Sequence, residues 1–301
     1  MSVTRSGFAS LVGRPNAGKS TLTNALVGGK VAITSSRPQT TRHTIRGVVH
    51  RPDAQLVLVD TPGLHRPRTL LGERLNAVVR ETWSEVDVIA LCLPADAEIG
   101  PGDRFIAREL AQLTGVPVLA VITKTDLAGR DVVGRRLLAA QRLGEEVGLE
   151  FAEIVPVSAV AGAQVDLLGD LLVARLPEGP LLYPDGELTD EPTEIRIAEL
   201  IREAALESVR DELPHSLAVS IDEMSRDDDR GLTVVHATVH VERDSQKPIV
   251  LGTGGSRLRT VGTTARHQIE ALIGERVYLD LHVNVLKDWQ RDPRQLRRLG
   301  F

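Results

Sequence analysis

Cysteine and aromatic residues are scarce in this chain. A single cysteine, Cys92, stands among 301 residues, which excludes an internal disulfide and any metal site built on a cysteine cluster. Phenylalanine, tryptophan and tyrosine together make up 3% of the chain, which is too few for a broad platform of base-stacking side chains. Cys92 lies in the apolar run 88–93, where we expect a buried thiol and not a nucleophile.

Long hydrophobic runs are also missing. No stretch approaches the roughly 18 consecutive apolar residues that a membrane-spanning helix needs, and residues 1–11 have too short an apolar patch for a signal peptide. We therefore expect a cytosolic protein. Hydrophobic residues make up 42% of the chain and charged residues 26%, which is typical of globular proteins, and the length predicts two domains.

Charge is distributed unevenly along the chain. The net charge is −5, but residues 1–180 carry +1, residues 181–246 carry −11 and residues 247–301 carry +5. The net acidic balance argues against a general nucleic-acid binder, whereas the basic C-terminal segment leaves a specific one open.

Two patterns of secondary structure follow each other. Residues 1–176 alternate short β-rich runs with amphipathic helical patterns, which predicts an α/β domain with a mostly parallel sheet and helices on both faces. The acidic segment 177–191, with its prolines and glycines, is interpreted as a linker. The pattern of helices and alternating strands in residues 192–301 predicts a smaller α+β domain. Strands are predicted at 8–12, 55–60, 87–93, 116–123, 154–158, 216–224, 232–243 and 277–285, and helices at 19–27, 70–81, 103–113, 132–147, 164–175, 194–210 and 264–273.

The most specific motif is a phosphate-binding loop. Residues 13–20 read GRPNAGKS and match G-x-x-x-x-G-K-[ST] between a predicted strand and a predicted helix. The glycines let backbone N–H groups turn toward phosphate oxygens, and the helix N-terminus favours negative charge. Lys19 would bridge the β- and γ-phosphates, and the Ser20 hydroxyl would bind Mg²⁺. A chance Gly-rich turn is the weaker interpretation, because strand, loop, Lys-Ser and helix coincide.

A second motif, DTPG at 60–63, ends the next β-rich run. The Asp60 carboxylate at the carboxyl edge of a sheet can hold Mg²⁺ through water, and the Gly63 N–H can contact a γ-phosphate. Alone, this tetrapeptide is a common turn sequence. The phosphate loop upstream favours the metal interpretation.

Two further strand ends predict a guanine pocket. TKTD at 123–126 supplies Asp126, whose carboxylate can accept the N1 and N2 hydrogens of guanine and would stay unpaired against adenine. Ser158-Ala159 closes the fifth predicted strand, where the Ala159 N–H can meet guanine O6. Ser-Ala carries no meaning in isolation, and its place after the other three motifs completes the pocket.

A Gly-rich element at 250–262 marks the second domain. Gly252–Gly255 has the form G-x-x-G and resembles the loop of KH domains, which clamps about four single-stranded nucleotides. Most such tetrapeptides are turns, but this one follows two strands and precedes a helix and a strand. Thr253 and Gly254 are uncharged where KH loops often carry Lys or Arg, so we expect a weaker salt dependence.

The ordered set GRPNAGKS, DTPG, TKTD and SA resembles the translation-factor-related class of GTPases. With QTTRH at 39–43 and a C-terminal type II KH domain, the chain resembles the bacterial Era GTPase family over nearly its whole length. The resemblance implies that a switch-loop threonine binds Mg²⁺ when GTP is bound. We assign this role to Thr41, with Thr40 as the alternative, although a plain polar loop would also contain two threonines.

Two positions depart from the usual GTPase pattern. Thr123 stands where most family members have Asn, so one contact to guanine or to the phosphate loop is weakened or lost. Leu64 follows Gly63 where many GTPases place a water-orienting Gln. The resemblance implies that a potassium ion held by Asn16 supplies positive charge at the phosphates instead. Asn16 also fits a simple turn residue.

The resemblance implies a GTP-hydrolysing switch that binds the 3′ end of 16S ribosomal RNA and assists assembly of the small (30S) ribosomal subunit. It also implies Mg²⁺, GTP and GDP as ligands, a monomer, and peripheral membrane contact on the inner face of the cell membrane, for which no amphipathic or lipidation signal is present. Asp126 and Ala159 argue against a kinase with the same phosphate loop. An RNA-binding protein with a structural nucleotide, and a GTPase acting on another RNA, are the remaining alternatives.

These interpretations assign roles to individual residues. Roles in hydrolysis are predicted for Asn16, Lys19, Thr41 and Gly63, and Mg²⁺ binding for Ser20, Thr41 and Asp60. Nucleotide contacts are predicted for Gly13, Arg14, Pro15, Asn16, Ala17, Gly18, Lys19, Ser20, Thr21, Asp60, Thr61, Pro62, Gly63, Leu64, Thr123, Lys124, Thr125, Asp126, Ser158 and Ala159. RNA contacts are predicted for Gly252, Thr253, Gly254, Gly255, Ser256, Arg257 and Arg259.

Overall fold

A computed structural model of the protein describes residues 4–35, 42, 44–64, 67, 69–209 and 216–301. The chain separates into two compact units. The first contains Met1–Ala32, Thr41–Arg66 and Arg74–Asp190, and the second contains Ile33–Thr40, Pro67–Glu73 and Glu191–Phe301. None of the helices in the described residues is long and apolar enough to cross a membrane.

The first unit is an α/β domain, as predicted. Its sheet has the strand order β2-β3-β1-β4-β5-β6 among the described residues, and all neighbours are parallel except β2 and β3. The strands are β1 (Arg5–Val12), β2 (Ile45–Arg51), β3 (Ala54–Asp60), β4 (Val88–Pro94), β5 (Val118–Thr123) and β6 (Phe151–Pro156). The helices are α1 (Lys19–Val27), α2 (Leu70–Glu85), α3 (Pro101–Leu110), α4 (Arg130–Val147) and α5 (Val165–Val173).

The central strands of this sheet are buried on both faces, which explains their continuous apolar sequences. Along β4, Ile89 and Leu91 belong to one apolar cluster, whereas Ala90 and Cys92 belong to the cluster on the opposite face. Burial raises the pKa of the Cys92 thiol to about 12. Cys92 is fully buried, so the expectation of a buried thiol is confirmed.

Strand β2 was not predicted from the sequence. Its residues IRGVVHR contain neither a long apolar run nor a strict alternation, yet it pairs antiparallel with β3 over its whole length. Gly47 is required there, because a Cβ at this position would lie 2.7 Å from Cγ2 of Val27 on α1. This edge strand depends on pairing with β3 and on close packing against α1, which sequence periodicity does not report.

Part of the predicted linker is attached to the first unit. The backbone N–H of Val48 on β2 donates to Leu188 O over 2.9 Å. The buried Gln55 side chain accepts from the N–H groups of Leu182 and Tyr183 over 2.6 and 2.8 Å and donates to Tyr183 O over 2.9 Å. The side chain of one strand residue therefore holds the backbone of this segment.

The second unit is an α+β domain with the strand order β7-β8-β9 among the described residues. Its β7 is antiparallel to β8, and β9 is parallel to β8. Its apolar core includes Ile201, Ala237, Val239 and Ile269. The elements are α6 (Thr193–Ser208), β7 (Ala218–Asp227), β8 (Leu232–Val241), α7 (Lys247–Leu251), α8 (Ser256–Ile273), β9 (Val277–Val285) and α9 (Pro293–Arg298).

Helix α8 begins at Ser256, so the predicted start at Thr264 was wrong. The Gly-rich element contains only a short loop, and Gly262 lies inside the helix. A glycine within a helix costs on the order of 1 kcal/mol relative to alanine, which is small compared with the burial of Val261, Ala265 and Ile269 on the inner face of the helix.

Candidate functional site

The phosphate-binding loop lies between β1 and α1, as the sequence predicted. Gly13 has φ 157°, and a Cβ there would lie 2.7 Å from Cys92 O on β4. Gly18 and Asn16 also have positive φ, at 87° and 63°. A left-handed asparagine is a strained position that occurs preferentially at functional loops. The loop therefore has the tight curvature that brings backbone N–H groups toward an anion.

Lys19 begins α1 with its side chain folded over this loop. Its ammonium group donates to the carbonyls of Gly13 and Arg14 over 3.2 and 3.3 Å, and the residue is only 7% exposed. Burial lowers the pKa of Lys19, and the nearby carboxylate of Asp60 opposes this shift. A lysine in this position can place its charge against phosphate groups that enter the loop.

The donor set for a magnesium ion is present in part. The Ser20 hydroxyl donates to Oδ2 of Asp60 over 2.8 Å, and Asp60, at the carboxyl end of β3, is fully buried. A hydroxyl oxygen and a carboxylate oxygen beside a phosphate loop fit the oxygen ligands that Mg²⁺ prefers. Thr40 and Thr41 lie outside the described residues. Within the described part of the chain, no group of three His, Cys, Asp or Glu residues could hold a metal by itself.

The DTPG segment lies directly against the phosphate loop. A Cβ on Gly63 would lie 3.0 Å from the backbone nitrogen of Pro15, so only glycine allows this approach without displacement. Leu64 is 4% exposed and packs into the apolar cluster on one face of the sheet. Its side chain therefore contributes packing, and it has no polar atom with which to orient a water molecule.

A cavity of about 150 Å³ lies where the predicted guanine pocket was expected. Asp126 follows β5, and its Oδ1 accepts a hydrogen bond of 2.5 Å from the buried Ser158 hydroxyl. The same hydroxyl accepts from Ala161 N over 3.0 Å. Ser158 thus orients the carboxylate, a role that was not predicted from the sequence. The cavity is lined by Gly18, Thr21, Leu22, Thr123, Lys124, Asp126, Leu127, Val157, Ala159 and Val160.

The departure at Thr123 has a specific structural counterpart. The Thr123 hydroxyl donates to the carbonyl of Ala17 over 2.6 Å, and both residues are buried. This bond connects the end of β5 to the phosphate loop. Of the two contacts that the sequence placed in doubt, the one to the phosphate loop is therefore present.

The Gly-rich loop of the second unit joins α7 to α8. Gly252, Gly254 and Gly255 have φ values of 71°, 57° and 77°. A Cβ on Gly252 would lie 2.8 Å from Cβ of Arg257 and 2.9 Å from its backbone nitrogen. Thr253 and Gly254 are exposed at the tip of the loop. This compact loop before a long helix has the form that clamps a nucleic-acid backbone.

A groove of about 380 Å³ lies beside this loop, between α8 and β9. Arg259 and Arg266 line it, and neither forms an ion pair with a described residue. Arg257, by contrast, donates from Nη1 to the carbonyl of Ile249 on α7 and does not line the groove. The lining residues are Gly255, Leu258, Arg259, Gly262, Thr263, Arg266, Leu279 and Leu281.

Several groove residues had not been assigned as site residues from the sequence. Leu258, Gly262 and Arg266 share one face of α8 because they are spaced by four residues. Leu279 and Leu281 alternate along β9. Helical spacing from Gly255 onward could have identified the α8 residues, but the pairing of this helix face with the edge strand is a tertiary feature.

The two sites define a class of protein, a phosphate-loop GTPase joined to a KH domain. Family profiles agree with both parts: one described as a 50S ribosome-binding GTPase matches residues 8–124, and one described as a KH domain matches residues 212–290. The chain is 66% identical to GTPase Era of Streptomyces coelicolor, covering 99% of this chain and 96% of that protein. The chain therefore belongs to the Era family of GTPases.

Other relatives and solved structures agree over the full length. GTPase Era of Mycobacterium avium is 66% identical over 99% of both chains. A crystal structure of an Aquifex aeolicus Era variant bound to GDP and AlF4⁻ is 36% identical, with a TM-score of 0.93 and 99% coverage of both chains. A crystal structure of Era with MgGDPNP and nucleotides 1506–1542 of 16S ribosomal RNA is 36% identical, with a TM-score of 0.94 and the same coverage.

Proposed function

We propose that this protein is a GTP-hydrolysing switch that binds the 3′ end of 16S ribosomal RNA and assists assembly of the small ribosomal subunit. The observation that carries the proposal is the presence, in one chain, of a pocket in which Ser158 orients the Asp126 carboxylate and a KH groove whose two arginines form no ion pair with a described residue. The Era structure that contains MgGDPNP and a 16S ribosomal RNA fragment supports the same assignment.

Residues of the phosphate loop would carry the chemistry. Lys19 would place its charge between the β- and γ-phosphates, where negative charge changes most during transfer. Ser20, Asp60 and Thr41 would hold Mg²⁺, which supplies further positive charge to the phosphate oxygens. The Gly63 N–H would donate to the γ-phosphate. On the base, Asp126, oriented by Ser158, would accept the two guanine N–H groups and exclude adenine.

A potassium ion is proposed as the additional source of positive charge. Leu64 is buried in an apolar cluster, so the position that holds a glutamine in many GTPases has no polar group here. Asn16 is exposed at the rim of the phosphate loop, where its amide oxygen can bind a monovalent cation. Positive charge at this point would stabilise the charge that develops on the leaving phosphate oxygens.

The potassium proposal is tested by measuring phosphate release in KCl and in NaCl at equal ionic strength. Hydrolysis should be several-fold faster in KCl, and Asn16→Ala should remove that difference. Equal rates in the two salts would contradict the proposal and would indicate that a protein or RNA group activates the site.

RNA binding is assigned to the loop Gly252–Gly255 and the groove beside it. The glycines allow the RNA backbone to approach closely, Arg259 and Arg266 face the groove, and Leu258 and Leu281 offer apolar contact to bases. Ser256 and Arg257 begin the helix that follows the loop, and Arg257 is bonded to α7. Peripheral membrane contact, a cytosolic location and a monomeric state stay predictions from the resemblance and the composition.

The whole proposal is tested with two measurements on the full chain. Steady-state phosphate release from GTP and from ATP measures the enzyme, and binding of an oligonucleotide with the 3′-terminal sequence of 16S ribosomal RNA, against a scrambled one, measures the partner. We expect GTP-specific turnover and preference for the ribosomal sequence. RNA binding without turnover would identify a structural nucleotide, and equal binding of both oligonucleotides would identify another RNA.

A further inference from the structure

The Thr123 hydroxyl has one hydrogen, and the structure shows where that hydrogen goes. Thr123 is 4% exposed, and its Oγ donates to Ala17 O over 2.6 Å. Ala17 is fully buried, so its carbonyl has no access to water and would lose its partner if Thr123 turned away. An unpaired buried carbonyl costs on the order of 1–3 kcal/mol, which keeps the hydroxyl in this orientation.

A guanine base in the pocket has four polar positions to satisfy. Its N1 and N2 groups are donors, and its O6 and N7 atoms are acceptors. In the proposed binding mode, the carboxylate of Asp126 takes both donors and the Ala159 N–H takes O6. N7 is adjacent to O6 on the same edge of the base, and Thr123 lines the same pocket.

We propose that Thr123 is a positioning residue whose side chain connects the base-recognition strand to the phosphate loop and gives guanine N7 no hydrogen bond. The proposal rests on the GTP binding proposed above. A hydroxyl whose hydrogen is donated to Ala17 cannot also donate to N7.

An asparagine at this position would behave differently. A carboxamide carries two N–H donors and one acceptor, so it could bond Ala17 O and N7 together. The Thr123 side chain therefore has a contact to the phosphate loop but none to N7 of the base.

The experiment compares GDP with 7-deaza-GDP, in which N7 is replaced by C–H, by calorimetry on the full chain. The parent protein should bind the two equally, within about a factor of two. Thr123→Asn should bind GDP about 3- to 10-fold more tightly than 7-deaza-GDP, the range expected for one neutral hydrogen bond.

Two further variants separate the contact to the phosphate loop from the contact to N7. Thr123→Val keeps the shape and removes the hydroxyl, so affinity for GDP and 7-deaza-GDP should fall by the same factor, about 10-fold, with their ratio still near one. Thr123→Ser restores a hydroxyl and should recover most of that loss. Melting temperatures without nucleotide identify any variant that fails to fold.

The results that overturn the inference are distinct from those that overturn the proposed function. A parent preference for GDP over 7-deaza-GDP of about threefold or more would show that N7 is bound, and an Asn variant without any preference would show that this position does not reach the base. Failure of the parent to prefer GDP over ADP would instead contradict the guanine pocket itself.

Discussion

Charged and polar side chains of the nucleotide site have partners within the protein, whereas the arginines of the KH groove form no ion pair among the described residues. Lys19 bonds two loop carbonyls, Ser20 bonds Asp60, and Ser158 bonds Asp126. Arg259 and Arg266 face an open groove. For Lys19 and Asp60 the difference follows from burial.

A buried charge without a partner carries a large desolvation cost, whereas an exposed arginine is solvated by water at little cost. The nucleotide site is therefore organised before its ligand arrives, and its selectivity depends on the position of a few atoms. The exposed arginines of the groove carry charge that a polyanion can neutralise, so we expect the affinity of the groove for RNA to depend on ionic strength. Substitutions in the nucleotide site should change the rate of hydrolysis and the selection of the base. Substitutions in the groove should change the affinity for RNA.

The largest effect should come from Lys19→Ala. Loss of the charge at the β- and γ-phosphates should slow GTP hydrolysis by at least about 100-fold, by analogy with the removal of one group that stabilises developing charge, and should weaken nucleotide binding. Phosphate release measures the first effect, and RNA binding without nucleotide should be unchanged. Arg142→Ala, which removes an exposed positive charge from α4, is the matched control. A comparable loss of hydrolysis in that variant would show that the effect is not specific to the charge at the phosphates.

Asp126→Asn should alter base selection. A carboxamide can no longer accept both guanine N–H groups, but it can donate to the 2-oxo group of xanthine. Affinity for GDP should fall by about 10- to 1,000-fold, depending on whether one or both bonds are lost, and xanthosine diphosphate should become the better ligand. Competition between GDP and xanthosine diphosphate for the protein measures this change in preference. An unchanged guanine preference would show that this carboxylate does not read the base.

Replacing Thr253 and Gly254 together with Asp should weaken RNA binding by about 10-fold or more, because each like-charge contact with the RNA backbone costs on the order of 1 kcal/mol. Gly254 has φ 57° and open space around it, and Asp tolerates this conformation better than most residues. The Asn–Asn double variant has the same size without the charge and is the control. Intrinsic GTP hydrolysis without RNA should stay near that of the parent. Equal RNA binding by all three proteins would show that this loop is a turn with no role in RNA binding.

The smallest effect concerns salt dependence. Arg259→Gln and Arg266→Gln should each reduce the slope of log affinity against log salt by about 0.7, the value for one phosphate contact on a single strand. Arg276→Gln serves as the control, because Arg276 is exposed outside the groove. If the control changed the slope as much as the groove variants, the groove would not be the place where RNA neutralises charge.

Much of the nucleotide site could be predicted because each of its motifs is a short contiguous segment, although the motifs lie far apart in the chain. The loop GRPNAGKS and the first turn of α1 are local, and the observed helix Lys19–Val27 has the predicted bounds. The strands β3, β4 and β5 were found within a few residues, since buried parallel strands are continuous apolar runs. Thr40 and Thr41 lie outside the described residues, so the choice between them stays a prediction.

The groove was predicted less completely, because its lining residues beyond the G-x-x-G loop belong to no sequence motif. The Gly-rich loop was recognised, but Gly262 gave the first part of α8 the pattern of a loop. Strand β2 was missed for a similar reason, since its pairing with β3 and its contact with α1 do not produce a local pattern.

The sequence by itself determined which chemical groups this protein has and the order in which they occur: a lysine and a serine after a Gly-rich loop, two aspartates at strand ends, and a G-x-x-G loop before a helix. Only the tertiary structure decided how those groups are used. It directs the Thr123 hydroxyl to Ala17, the Ser158 hydroxyl to Asp126, and Arg257 toward α7 while Arg259 and Arg266 face the groove. The physical reason is that hydrogen-bond partners are set by distances of about 3 Å between atoms, and folding brings together atoms that lie far apart along the chain.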